Sequence, residues 1–149
     1  MSTTMDSEFR KMYRGYFRGV LRWHQLDALW DAVEHTPEGW YVYFVNQPLP
    51  EEPVAAYELQ QFLREIDNLL RTEHDYDYCG IVYADSLESP CMVKIFDPGH
   101  LGASCGSSGQ IIPPRWILSR MKPELIEDSA PIPANRTRWW QKIFSSSAG

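Results

Sequence analysis

The sequence predicts an α+β fold of two layers, helices packed on a small, mostly antiparallel sheet. Three observations lead there: two amphipathic stripes at helical spacing, one unbroken aromatic and β-branched run, and a hairpin pattern that empties into a glycine-rich loop. The expected order is α-α-β-α-β-β plus a short C-terminal helix. Residues 1–126 form one α+β domain, and residues 127–149 form a proline- and serine-rich tail.

The first stripe covers residues 7–21. Phe9, Met12, Tyr13, Tyr16, Phe17, Val20 and Leu21 recur at helical intervals along one face, with Asp6 or Ser7 as cap and Glu8 in the first turn. Arg10, Lys11, Arg14, Arg18 and Arg22 occupy the remaining surface, so this reads as a basic amphipathic helix. A second stripe, Leu26, Leu29, Trp30 and Val33, is out of phase with the first, which places a bend at residues 22–25. Pro37-Glu38-Gly39 ends it. Residues 40–45, Trp-Tyr-Val-Tyr-Phe-Val, read as a strand buried on both faces and interior to the sheet. Pro53 opens the third helix, whose stripe of Ala55, Leu59, Phe62, Leu63, Ile66, Leu69 and Leu70 runs to about residue 72.

The hairpin spans residues 76–96. With Asp85-Ser86-Leu87-Glu88 as its loop, Val82 faces Cys91 and Ala84 faces Ser89. One face then carries Tyr78, Val82, Cys91, Val93 and Ile95; the other carries Cys79, Ile81, Tyr83, Met92, Lys94 and Phe96. This pairing makes His74-Asp75 and Asp97-Pro98-Gly99-His100 neighbours at one rim. Beyond the glycine loop, Arg115 to Met121 read as a short helix stopped by Pro123.

The 149 residues are 44% hydrophobic, enough for a sizeable core, and the net charge of −6 argues against nucleic-acid affinity. That charge is split: residues 1–22 hold five basic and two acidic side chains, against nine and eighteen in the rest. The amino terminus lacks a basic-then-apolar leader, and no apolar run reaches the ~18 residues of a membrane span. Three cysteines without paired spacing fit reduced thiols. A cytoplasmic location is the expectation.

Four constellations bear on function. In the glycine loop, Cys105 is the candidate reactive thiol, with His100 as base and Asp97 to orient it. His74, Cys79, His100 and Cys105 offer two nitrogens and two sulfurs suited to zinc. The basic helix could lie on an acidic partner or an anionic membrane. In the tail, Trp139, Trp140, Arg138 and Phe144 are of the residue types that anchor protein interfaces, and the cluster either folds back on its own domain or docks on a partner. Nucleophile-elbow, P-loop, dinucleotide-binding and zincin patterns are absent from the sequence. The expected function is therefore a non-catalytic cytosolic accessory or adaptor protein without a cofactor. It would bind a protein partner through the tail aromatics and the basic helix. The alternative is a thiol-dependent enzyme or a sulfur- or metal-handling protein built on Cys105 and His100.

Overall fold

The structure, a computed structural model, describes residues 7–101, 113–126 and 132–144. Its elements in chain order are α1 (Glu8–Tyr13), β1 (Arg18–Val20), α2 (Trp23–His35), β2 (Tyr41–Phe44), α3 (Ala56–Glu73), β3 (Val82–Ala84), β4 (Met92–Ile95), α4 (Pro98–Leu101), β5 (Trp116–Ser119) and α5 (Ala134–Phe144). The strands form one antiparallel sheet in the order β1-β3-β4-β5-β2. The α+β class is as expected.

Side-chain alternation divides the core between the two sheet faces. On the front, Val20, Val42, Phe44, Val82, Val93, Ile95, Trp116 and Leu118 pack under α2, α3 and α5. On the back, Tyr43, Met92 and Ile117 meet Phe9 of α1, with Met12, Tyr13 and Phe17 around them. Lys94 points the same way. Its ammonium donates to the Tyr13 carbonyl at 2.7 Å and lies 3.9 Å from the Phe17 ring centroid. Burial lowers its pKa, and the two rings compensate part of that desolvation.

The first expected helix is in fact a helix and a strand. Ser7 caps α1 by accepting from the Arg10 amide at 3.1 Å, but the helix ends at Tyr13 and residues 18–20 pair with β3. Gly15 and Gly19 explain the break, each costing a helix about 1 kcal/mol against alanine. Gly19 is also needed where it lies: a Cβ there would sit 3.1 Å from the Tyr83 ring, which covers the strand. The apolar stripe is thereby shared out. Phe9 goes to the back core and Val20 to the front, while Tyr16 and Leu21 are left exposed.

α2 and α3 match their stripes. Gln25 accepts from the Leu21 and Arg22 amides at the start of α2, and Glu58 accepts from the Ala55 amide at the start of α3. β2 lies where expected and is buried on both faces, but it is an edge strand rather than an interior one. The loop before α3 covers its end, where the Val54 amide donates to the Trp40 carbonyl.

The hairpin register differs by four residues from expectation. Val82 pairs with Ile95 and Ala84 with Val93. The loop is longer because Asp85 closes it, accepting from the Cys91 and Met92 amides at 2.8 and 2.9 Å. An even shift preserves the faces, so Val82, Val93 and Ile95 still share the front and Met92 the back. Cys79 and Ile81 join the front core instead of the back, since the chain turns at Gly80 with φ +71° before the strand begins.

The expected helix at residues 115–121 is the strand β5, lying between β4 and β2 with all four residues buried. Trp116 and Leu118 face front and Ile117 faces back. A run with apolar groups on both sides suits an interior strand and has no one-sided stripe to offer a helix. Among the described residues no helix is long and apolar enough to cross a membrane.

Candidate functional site at the end of α3

A charge network ties Glu73, at the end of α3, to Asp97. Asp97 follows β4, is 4% exposed, and has both carboxylate oxygens occupied. Oδ1 accepts from the Gly99 amide and from Arg136 Nη2, each at 2.8 Å; Oδ2 accepts from Arg136 Nε at 3.0 Å and Arg115 Nε at 3.2 Å. Arg136 turns its fork on Glu73 as well, at 2.6 and 3.0 Å. One guanidinium thus joins the end of α3, the end of β4 and the start of α5.

Burial alone pushes the Asp97 carboxyl up, but the bonds and charge of Arg136, the Gly99 amide and the charge of Arg115 outweigh it and hold its pKa below the usual value. For Arg136, burial disfavours the cation, and the bonds to Asp97 and Glu73 more than reverse this, so its pKa is raised. Four acceptor positions filled by four donors leave Asp97 no lone pair to orient a histidine base. Its chemistry here is to hold elements together.

Outward from Glu73 the rim becomes aromatic. The His74 ring is buried among Trp23, Tyr76 and Tyr78, at centroid distances of 6.3, 4.7 and 6.0 Å. Tyr76 and Tyr78 stack on each other at 5.6 Å and 26°. Trp23 Nε1 donates to the Tyr76 carbonyl at 2.8 Å, and Arg71 lies over the Trp23 ring. The Cys79 and Gly80 amides donate to the Leu21 and Val20 carbonyls, bringing the end of β1 alongside. Three large apolar side chains stand exposed on this braced backbone: Leu21 is 60% exposed, Tyr76 59% and Tyr78 51%.

Of the two readings of the tail, the described helix α5 follows the one in which it folds back on the domain. Trp139 and Trp140 are half-buried on the front core, at 5.4 Å from Trp116 and 4.9 Å from Phe44 respectively, and Phe144 packs on Trp140 at 4.3 Å. Exposed aromatics of the tail are therefore not what the described helix presents; only Arg138 of that set is exposed. In the basic segment Phe9 is buried and Arg10 pairs with Glu124 at 2.5 Å, while Lys11, Arg14, Arg18 and Arg22 are exposed.

His100 falls in α4, whereas Cys105 lies outside the described residues, and the expected thiol–base pair with it. Of the proposed zinc ligands, His74 is packed among rings and Cys79 is fully buried in the front core. Among the described residues no group of three or more histidine, cysteine or acidic side chains could hold a metal ion. Burial pushes the Cys79 thiol up, against the amides of Ile81 and Val82 and the charge of Arg71. Alkylation under native conditions should accordingly label the half-exposed Cys91 and spare Cys79, with Cys79 modified only after denaturation. Mass spectrometry of tryptic peptides reads this directly, and native labelling of Cys79 would contradict its placement.

Arg136, Arg115 and Glu73 were not legible as site residues, because pairing between distant charges leaves no periodic trace in a sequence. The tyrosines had a signal that pointed the wrong way: Asp75-Tyr76-Asp77-Tyr78 alternates and reads as the start of a strand. Comparison of the chain with family models, with curated proteins and with solved structures finds no match.

Proposed function

We propose that this chain is a non-catalytic accessory protein that binds another protein through the ridge formed by Leu21, Tyr76 and Tyr78. The observation that carries the reading is the co-location of three large, more than half-exposed apolar side chains on backbone fixed by hydrogen bonds to β1 and to Trp23. Tyrosine supplies broad contact area for two side-chain torsions, so little entropy is lost when such a surface is covered. Rigid backing by the Arg136 network keeps the ridge formed before a partner arrives, which lowers the cost of binding. The fully occupied Asp97 carboxylate supports a structural rather than a chemical role for the rim.

A photo-reactive amino acid placed at Tyr78, and separately at the more exposed Tyr57, tests this in extracts of the native host. The Tyr78 probe should yield a discrete crosslinked protein that the Tyr57 probe does not, and Leu21→Ser with Tyr76→Ser should abolish it while the cooperative thermal transition is kept. Identical products from both positions would refute the assignment.

A further inference from the structure

We infer that the segment docking on this ridge is positively charged and runs from the tyrosines into the acidic groove between α2 and α3. The inference rests on the proposed protein-binding role and supplies the chemistry of the partner. α2 and α3 are antiparallel: Trp23 meets His74, Asp27 bonds Arg71 at 2.7 Å, and Trp30 Nε1 donates to Asp67 at 3.1 Å. The groove between them has a volume of about 580 Å³, with Trp30 in its lining beside Asp27, Asp31, Glu34, Asp67 and Arg64. Its Asp27 end meets Arg71, whose guanidinium also lies 5.0 Å over the Trp23 ring, beside His74. Arg71 and Trp23 thus link the acidic groove to the tyrosines, Trp23 through its bond to the Tyr76 carbonyl.

The charges select the occupant. Four carboxylates face one cation in that lining. Arg71 satisfies Asp27 and Asp67, whereas Asp31 and Glu34 have no ion pair among the described residues. Asp75 and Asp77, both exposed, flank the tyrosines. Arginine or lysine side chains meet carboxylates in the groove and ring faces at its end, a combination that favours cations twice. The same junction holds His74 Nε2, buried and without a hydrogen-bond partner. An acidic or purely apolar segment would leave Asp31 and Glu34 covered and uncompensated.

The test uses the full chain, labelled with ¹⁵N, and a capped peptide of alternating arginine and alanine, with a glutamate–alanine peptide for comparison. Amide shifts should move along α2, α3 and residues 74–78 with the arginine peptide only. Asp31→Lys with Glu34→Lys should weaken binding about tenfold, the effect of replacing two attractive charges by repulsive ones. Tyr76→Ser and Tyr78→Ser should each weaken it about threefold, as for an exposed cation–π contact. Three results overturn the inference. One is an equal loss from Glu51→Lys with Glu52→Lys, which would mean general acidity. Another is indifference to both tyrosine variants. The third is concentration-dependent shifts without peptide, which would make a second copy of the chain the occupant. The two proposals fail separately: a Tyr78 crosslink to a native partner that survives Asp31→Lys with Glu34→Lys refutes the basic segment and leaves the ridge in place.

Discussion

Arg136→Ala is expected to destabilise the protein by about 3–5 kcal/mol, the usual cost of removing one partner from a buried ion pair. The substitution leaves Asp97 buried with only Arg115 and the Gly99 amide as donors, and it unties Glu73. Lysine should not rescue it, because one ammonium cannot reproduce two forks on two carboxylates. Adding Asp97→Asn to Arg136→Met should recover only part of the loss, since Arg115, buried against Asp97, then keeps an unpaired charge. Urea midpoints of the single and double variants check this, and a loss for Arg136→Ala below about 1 kcal/mol would place it among ordinary surface changes. The pH dependence has a definite sign. The folded pKa of Asp97 is held below its ordinary value, so its contribution is fully present above the unfolded value of about 3.9. It is lost as pH falls through the folded pKa. Asp97→Asn should therefore be less stable at neutral pH and should show a flatter decline below about pH 4 than the unaltered chain.

Removing residues 132–149 is the second large effect. A dispensable tail could be deleted without harm, but α5 covers Phe44, Phe62 and Trp116 with Trp139, Trp140, Ile143 and Phe144. A fully buried large apolar side chain contributes about 1.5–3 kcal/mol, and a domain's whole margin is about 5–15 kcal/mol. One buried and three half-buried side chains thus account for much of that margin. The truncated chain should lose its cooperative thermal transition and bind a hydrophobic dye such as ANS. A sharp transition near that of the full chain would show α5 to be a mere appendage.

What could be read beforehand was what repeats. α2, α3, β2 and the two hairpin strands carry patterns of one period each, and each is present close to where its pattern lies. Even the wrong hairpin register kept the faces of Val82, Val93 and Ile95, because an error of four residues is invisible to a period of two. The stripe at residues 7–21 misled for the opposite reason. Phe9 to Tyr13 and Val20 satisfy one helical spacing while belonging to opposite sides of the sheet, and only Gly15 and Gly19 hinted at the division. β5 was missed because four buried residues are too few to display any period. The rim was half legible: the expected register set 74–75 opposite 97–100, whereas the observed one is four residues away, and the agent joining Glu73 to Asp97 comes from residue 136, which no local pattern announces.

The pairing of β2 with β5 carries a consequence for how the protein is made. Tyr41 waits for Ser119 and Phe44 for Trp116, so the earliest substantial strand has no neighbour until most of the chain has left the ribosome. Contacts this remote in sequence slow folding, since a long loop must close before any of them forms. During that interval residues 40–45 are an uncovered aromatic segment of high sheet propensity, open to pairing between nascent copies. Yield on overexpression should thus be governed by synthesis rate and temperature more than by the strength of the finished fold.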